Sequence, residues 1–353
     1  MRHRILALLL IVALAPGASA RRRAAGVPST FDVAAVDAIA ADALRAGIPG
    51  LTIAVQKGDG VFVKSWGLSD VRTGRPVANT AVYQIASVSK QFTAAAIMRL
   101  VEQGKLSLDD RARQWVPELH IRYDAVTIRH LLTHTSGVAD YATQLTSAYE
   151  PRTQQEIVAM INTGGALFRP GALYTYSNSG YFLLGMIAER AAARPYDQLL
   201  HELFFDPLRL FSTSYCGTRG PAPDGHRTGT LTPVAAADMS LVFSAGALCS
   251  NVYDLLRWTV ALEDGTAVSA ASYAQMTTSV DPDNMLPPGY GFGLVVDTFE
   301  GHRRIWHNGD ILGFQSHVTR FPEEELTIVV LLNANGPVDR ATPIAEDVAR
   351  VVR

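Results

Sequence analysis

Cysteine is nearly absent from this 353-residue chain, which contains only Cys216 and Cys249. The sequence therefore allows at most one intramolecular disulfide. Such a bond would persist if the chain is exported to an oxidising compartment. Free cysteine is also among the most buried residue types, so the alternative is two small buried hydrophobic side chains. The spacing alone leaves both alternatives open.

A surplus of basic charge is also lacking. The chain has 31 Lys and Arg residues against 33 Asp and Glu residues, a formal net charge of −2, and no basic stripe. Nucleic acid is therefore not an expected partner. A hydrophobic content of 48% with 18% charged residues is typical of a folded globular protein. There is no low-complexity tract, internal repeat or linker that would separate independent domains.

Several common functional signatures are missing. No G-x-S-x-G motif is present, which argues against an α/β-hydrolase. Gly289, Gly291 and Gly293 alternate in a strand-like stretch with no following helix, so a nucleotide-binding loop is not predicted. His130 and His134 lie four residues apart on a predicted helix, but a metal site needs further ligands. We expect no metal and no other cofactor.

The N-terminus has the features of an export signal. Arg2 and Arg4 precede an apolar run over 5–15, and Ala18-Ser19-Ala20 forms an A-x-A cleavage pattern. This arrangement predicts a signal peptide over 1–20, cleaved after Ala20. The mature chain would then be secreted or periplasmic, with no stable membrane insertion. An uncleaved anchor or a wrongly assigned start is the alternative.

Strand patterns lie near both ends of the chain and helical patterns lie between them. Strands are predicted over 51–55, 61–66, 290–297, 303–307, 314–321 and 326–333. Helices are predicted over 31–46, 86–103 and 341–352, with further helical patterns in the middle. This order predicts a single α/β (α+β) domain over 30–353. One sheet built from 30–85 and 240–353 would carry an inserted, mostly helical region over 86–239.

The helix predicted over 86–103 carries an unusual lysine. Ser87 and Lys90 are three residues apart, and their face of the helix continues through Ala94, Ile97 and Val101. That face is apolar and therefore buried, where a lysine is costly. Burial lowers the pKa of an amine, which would let Lys90 act as a base for the Ser87 hydroxyl. Alternatively, Ser87 is only a helix cap and Lys90 extends to solvent.

Two further segments contain candidate site residues. Tyr176-Ser177-Asn178 follows the Pro170-Gly171 loop, although Asn178 can also serve as a cap of the next helix. "WHNGDILGF" contains His307-Asn308-Gly309, in which Asn-Gly between apolar runs is typical of a hairpin turn. On that interpretation His307 is part of a turn and has no chemical role.

The order S-x-x-K, Y-x-N and H-x-G resembles the serine β-lactamase-like hydrolases. This family includes class C β-lactamases, D,D-peptidases, D-aminopeptidases and family VIII-type esterases. The resemblance covers about 35–335 and includes "KQFTAAAIMRLVEQGKLSLDD", "VTIRHLLTHTSGV", "FRPGALYTYSNSGYFLLG", "DPLRLFSTSY" and "YGFGLVV". It implies a β-lactamase-like fold, in which an antiparallel sheet flanked by helices packs against a helical region with the site between them. It also implies acyl transfer through a covalent ester, with water as the final acceptor.

The resemblance also implies roles for individual residues. Ser87 would be the acylated nucleophile, Lys90 would assist its deprotonation, and Tyr176 would be a general acid and base. Which of the two takes the serine proton stays open, and we treat them as a coupled pair. Ser89 faces another side of the helix and is the poorer candidate nucleophile.

The remaining implied roles concern substrate binding. Asn178 would bind substrate, and His307 and Gly309 would lie at the edge of a strand lining the cleft, Gly309 letting substrate lie against the backbone. The oxyanion hole would use the backbone N–H groups of Ser87 and Asp310. On this interpretation Asn308-Gly309 is not a turn, and the chain bends later, near Leu312-Gly313.

The third motif departs from the K-T-G triplet of β-lactamases. A histidine is mostly neutral at pH 7 and attracts a substrate carboxylate less than a lysine does. Asp310 adds negative charge in the same place. We therefore expect small ester, amide or D-peptide substrates ahead of β-lactams. We also expect titration of His307 to change turnover between about pH 5.5 and 7.5. The alternative from another class is an inactive relative that binds the cell wall or a partner protein.

Overall fold

The structure is a computed structural model that describes residues 32–217, 223–280 and 289–353. The predicted signal peptide lies outside these ranges. Among the described residues, no helix combines the length and apolarity needed to cross a membrane.

Strands come from both ends of the chain and from short segments between them. Within the described ranges they are β1 Gly50–Lys57, β2 Gly60–Asp70, β3 Arg75–Pro76, β4 Tyr83–Gln84, β5 Ser214–Tyr215, β6 His226–Arg227, β7 Leu248–Ser250, β8 Gly289–Tyr290, β9 Val295–Phe299, β10 His302–Ile311, β11 Phe314–Phe321, β12 Leu326–Leu332 and β13 Ala334–Asn335.

Helices fill most of the middle and lie at both termini of the described chain. Within the same ranges the α-helices are α1 Val33–Arg45, α2 Ser89–Glu102, α3 Ala112–Trp115, α4 Ile128–Leu132, α5 Gln154–Gly164, α6 Asn178–Ala192, α7 Tyr196–Leu200, α8 Phe243–Gly246, α9 Val252–Glu263, α10 Ala270–Met276 and α11 Ala341–Val352.

The main sheet joins the two ends of the chain. Its order is β3-β2-β1-β12-β11-β10-β9-β8, and every neighbouring pair is antiparallel. The junction is the pairing of β1 with β12, in which Ile53 lies opposite Val330. The predicted antiparallel sheet with flanking helices and a helical insertion is therefore confirmed.

Both faces of this sheet are covered. Ile53 and Val330 belong to a core shared with α1 and α11, whereas Ala54 and Val329 belong to the core shared with the helical region. Because successive side chains point to opposite faces, a strand covered on both faces is apolar throughout. This explains why every residue of β12, from Leu326 to Leu332, is buried.

A small sheet of order β4-β7-β5 supports the turn that precedes α2. The backbone N–H of Ile85, just after β4, donates to the Leu248 carbonyl in β7. Cys249 of β7 is bonded to Cys216 beyond β5, with their Cα atoms 5.2 Å apart. The two cysteines therefore join the neighbouring strands β5 and β7.

Two local predictions differ from the structure. The helix expected over 86–103 starts with a 3₁₀ turn, Ala86–Val88, before α2 begins. The helix expected to carry both His130 and His134 ends at Leu132, and His134 adopts a φ of +58°. The two histidines therefore do not share one helical face, as the sequence pattern had suggested.

Candidate active site

A cavity of about 440 Å³ lies between the main sheet and the helical region. Ser87, Tyr176 and Asn178 line it from the helical side, and Gly309 and Asp310 line it from β10. Tertiary packing thus brings together residues that are up to 223 positions apart in the sequence. This cavity is the candidate active site.

Lys90 is completely buried directly behind Ser87. Its Nζ lies 3.0 Å from Ser87 Oγ, 2.9 Å from Asn178 Oδ1 and 2.8 Å from the Ala245 carbonyl oxygen. The amide oxygen and the carbonyl oxygen can only accept hydrogen bonds. A neutral amine would therefore direct both of its N–H bonds at them. Its lone pair would then face the Ser87 hydroxyl.

Because it is buried, the Lys90 amine can be neutral near physiological pH. Desolvation lowers the pKa of Lys90 from 10.5 to about 7, and the charge of Asp140 opposes this only in part. Both protonation states of Lys90 are consequently populated at neutral pH. A group with such a pKa can take up and release a proton within one catalytic cycle.

Asp140 orients Asn178 and was not identified from the sequence. Its Oδ2 accepts from the backbone N–H and the side-chain amide of Asn178, each at 3.0 Å. The amide nitrogen is thereby committed to Asp140, so Oδ1 faces Lys90. Asp140 comes just after the "HTSGV" segment, where no local pattern distinguishes it from an ordinary loop acid.

Tyr176 stands over the same lysine. Lys90 Nζ lies 4.8 Å from the centroid of the Tyr176 ring. Burial raises the pKa of Tyr176, and a hydrogen bond with Ser87 only partly offsets the increase. The phenol therefore keeps its proton at neutral pH and can serve as a proton donor. Of the coupled pair, Lys90 is the group with a pKa suited to accept the serine proton.

A buried histidine and tyrosine support Tyr176 from behind. His134 Nδ1 accepts the backbone N–H of Ser177 at 3.2 Å, and the His134 and Tyr176 ring centroids are 4.4 Å apart. Tyr290 also contacts His134, with 4.5 Å between the centroids. Sequence reasoning assigned His134 to a structural segment and missed Tyr290, although Tyr290 stands in the "YGFG" segment that carried the resemblance.

His307 lies in β10, but its environment differs from the expected one. The residue is only 2% exposed. Its Nδ1 lies 2.5 Å from the Asn308 carbonyl oxygen, which can only accept, so Nδ1 carries the proton. In the neutral ring Nε2 then accepts from the Tyr290 hydroxyl at 3.0 Å. Both ring nitrogens are thus satisfied without a charge.

The expected titration of His307 between about pH 5.5 and 7.5 is therefore wrong. Burial, together with the nearby charge of Lys90, lowers the pKa of His307 to about 3. The imidazole stays neutral throughout that range. Of the two groups, Lys90 is the one whose pKa lies near neutrality.

The His307→Gln variant tests this reassignment. We expect the ascending limb of the kcat/KM–pH profile to stay within about 0.3 pH unit of the wild-type position, because Lys90 still titrates. Turnover itself should fall, since Tyr290 loses its partner. Initial rates from pH 5 to 9 provide the measurement. If the ascending limb disappeared in this variant, His307 would be the group whose titration controls the profile.

Gly309 is required by the turn that carries Ser87. A Cβ atom at this position would lie 2.3 Å from the Ile85 carbonyl oxygen and 3.0 Å from the Ala86 Cβ. The missing side chain thus lets β10 pack directly against the backbone just before the serine. We had expected it to leave room for substrate, but the Ile85–Ala86 backbone fills that space.

The backbone N–H of Asp310 faces the cleft side of β10. Leu312-Gly313 forms the two-residue bend, as expected, so Ile311 and Phe314 are a hydrogen-bonded pair. Hydrogen bonding alternates along an antiparallel pair, so the N–H of Asp310 points away from β11. On that opposite edge β9 pairs with β10 no further than Trp306. The N–H of Asp310 is therefore left directed at the cavity beside Ser87.

Comparison with known proteins agrees with the fold and with this constellation. The model of the Beta-lactamase family matches residues 35–352. The chain therefore belongs to the Beta-lactamase family, a family of serine hydrolases. The family and the enzyme class predicted from the sequence motifs are confirmed.

The chain is similar to several individual members. It is 29% identical over 307 residues to penicillin-binding protein 4* of Bacillus subtilis (strain 168), covering 80% of this chain and 68% of that protein. It spans about two thirds of the length of the curated relatives it matches.

Two solved structures are also similar. D-amino acid amidase from Ochrobactrum anthropi SV3, complexed with L-phenylalanine amide, superposes with a TM-score of 0.79 at 26% identity, covering 90% of this chain and 96% of that one. The octameric penicillin-binding protein homologue from Pyrococcus abyssi gives 0.80 at 27% identity, covering 90% and 76%.

Proposed function

We propose that this protein is an exported serine hydrolase that acts through an acyl-enzyme on Ser87. The observation that carries the proposal is the position of Lys90, whose two N–H bonds are committed to Asn178 Oδ1 and the Ala245 carbonyl while Nζ lies 3.0 Å from Ser87 Oγ. A serine hydroxyl is a weak nucleophile until a base removes its proton. Here a buried amine with a pKa of about 7 is in contact with it.

The chemistry follows from these contacts. Ser87 Oγ attacks the substrate carbonyl carbon while its proton passes to Lys90 Nζ. The carbonyl oxygen becomes an oxyanion, which accepts from the backbone N–H groups of Ser87 and Asp310. Tyr176 donates a proton to the leaving group as the tetrahedral intermediate collapses to the ester. Water then attacks the ester, and the same groups move protons in the reverse sense.

The proposed substrates are carboxylic esters and small D-amino-acid amides or peptides. No lysine, arginine or histidine is among the described residues that line the cavity, so a substrate carboxylate has no cation to pair with there. This argues against β-lactams and D-Ala-D-Ala peptides, which carry a carboxylate. The similarity to a D-amino acid amidase supports amides. A β-lactamase or penicillin-binding D,D-carboxypeptidase is the second candidate, favoured by the similarity to penicillin-binding protein 4*.

Export is part of the proposal and depends on the N-terminal pattern of 1–20. The bonded Cys216 and Cys249 pair supports it, because such bonds persist in oxidising compartments. We therefore place the mature protein in the periplasm or outside the cell.

A substrate panel tests the proposed function. The wild-type enzyme is assayed against p-nitrophenyl esters of several lengths, a D-amino-acid anilide, a D-Ala-D-Ala peptide and nitrocefin. We expect esters or the anilide to give the highest kcat/KM. A much faster turnover of nitrocefin would favour the β-lactamase alternative. No turnover of any member, combined with no covalent adduct, would favour an inactive binding protein.

A further inference from the structure

The Asp140 carboxylate is fixed by three N–H donors. Its Oδ1 accepts from the Ala142 backbone N–H at 3.0 Å, and its Oδ2 accepts from the backbone N–H and the side-chain amide of Asn178, each at 3.0 Å. Asn178 is the first residue of α6, where a helix leaves its backbone N–H groups without partners of its own. The carboxylate is therefore held rigidly against the Asn178 amide.

The carboxylate permits only one orientation of that amide. An ionised carboxylate accepts hydrogen bonds and donates none, so it must meet the Nδ2 end of Asn178. The Oδ1 end then faces Lys90 Nζ at 2.9 Å. In the flipped amide, Oδ1 would meet the carboxylate as a second acceptor, and Nδ2 would donate to the Lys90 lone pair. That lone pair would then no longer be available to Ser87.

Asp140 also supplies the charge that acts on Lys90. The other titratable side chains around the amine are two tyrosines and two histidines, namely Tyr176, Tyr181, His134 and His307. Burial raises the pKa of both tyrosines and lowers the pKa of both histidines, so all four are neutral near pH 7. Desolvation lowers the pKa of Lys90, and the charge of Asp140 opposes this. The carboxylate therefore favours the protonated amine.

We propose that Asp140 is a positioning residue that directs the lone pair of Lys90 at Ser87. It acts through the Asn178 amide, whose two ends are bonded to the carboxylate and to the lysine. Asp140 is not among the described residues that line the cavity, so it acts on the reacting atoms only through these neighbours. This inference rests on the proposed acyl transfer at Ser87. Because the amine must take a proton in each cycle, an arrangement in which an amide N–H occupies its lone pair is inactive.

The Asp140→Asn variant tests the proposal, because an asparagine both donates and accepts and so permits both orientations of Asn178. We expect kcat to fall about tenfold or more while KM changes by less than about threefold. The ascending limb of the kcat/KM–pH profile should move to lower pH by about 0.5 unit or more. The lost charge and the flipped amide both favour the neutral amine, so their effects on the limb have the same sign. Initial rates of the best ester from pH 5 to 9 give both readouts.

Ser179→Ala is the control for a merely structural role. The Ser179 hydroxyl accepts from the Tyr141 backbone N–H at 2.9 Å and donates to the Ala139 carbonyl oxygen at 2.7 Å. It therefore joins the segment around Asp140 to the start of α6 through neutral groups. Its loss should lower the stability of the protein but leave the ascending limb within about 0.2 pH unit of the wild-type position.

A double-mutant cycle with Asn178→Ala tests whether Asp140 acts through the amide. Once the amide is absent, Asp140→Asn should lower kcat on the high-pH plateau by less than about twofold further. The proposal is overturned if Asp140→Asn leaves kcat unchanged, if its limb stays in place or moves to higher pH, if Ser179→Ala moves the limb equally, or if the two single losses multiply in the double variant. Each of these results leaves the proposed hydrolase function standing. That function fails separately if the wild type hydrolyses no member of the substrate panel and a fluorophosphonate leaves no adduct on Ser87.

Discussion

The Ser87→Ala variant is expected to form no covalent adduct and to lose kcat/KM by a factor of about 10⁴ or more. Nucleophile removal has effects of this size because the remaining oxyanion donors and binding contacts cannot supply the covalent path. Incubation with a fluorophosphonate, followed by intact-mass measurement, should show one added group on the wild type and none on the variant. Turnover of the best ester in the panel gives the second readout.

Ser89→Ala is the matched control. Ser89 lies two residues away and is fully buried, but its hydroxyl accepts from the Leu248 backbone N–H instead of facing the cavity. Its loss should cost about 1–3 kcal/mol of stability, because that N–H is left without a partner. The adduct should still form on this variant. An adduct of equal mass on Ser87→Ala would show that another residue is the nucleophile.

The Lys90→Met variant should lose kcat/KM by a factor of about 10³ or more and should lose the ascending limb of its pH profile. The pKa of Lys90 is lowered to about 7, so the free base is the minor form below that value and the major form above it. In the wild type, activity should therefore rise with pH through about 7 and level off above it. Methionine fills a similar volume but cannot take the Ser87 proton.

Lys105→Met provides the control for removal of a lysine charge. Lys105 is exposed, three residues beyond the end of α2, and contributes nothing to the cavity. The Lys105→Met variant should keep the ascending limb of the wild-type pH profile. If Lys90→Met retained an ascending limb with the same apparent pKa, the base would have to be a different group.

The motif spacing was sufficient to predict the class of enzyme, because a spacing of a few residues is a local property of the chain. Three residues of separation put Ser87 and Lys90 on one side of a helical turn in any helical context. The apolar stripe through Ala94 and Ile97 already indicated that the lysine is buried. A sheet built from both ends was predictable because strand patterns lie near both ends of the chain, and the pairing of β1 with β12 confirms it. Its antiparallel order was implied by the family resemblance.

The behaviour of His307 was not predictable in this way. Its reference pKa suggested a titration near neutrality, but burial and the nearby charge of Lys90 lower that pKa to about 3. Its ring partner Tyr290 is 17 residues away and could not be assigned from the "HNGD" pattern. Likewise, Asn308-Gly309 has the local preference of a turn, yet it lies inside β10 because pairing with β11 outweighs that preference.

The sequence by itself determined that a serine and a buried lysine share one helical turn, that a tyrosine and an H-x-G strand accompany them, and that the family is one of serine hydrolases. Only the tertiary structure decided the protonation of those groups. It added the Ala245 carbonyl, 155 residues from Lys90, and the Asp140 carboxylate that directs Asn178. It also placed Asp310 as the one residue with a charged side chain among the described residues that line the cavity. The physical reason is that motif spacing is a short-range property, whereas a pKa depends on burial and on partners that only folding brings near.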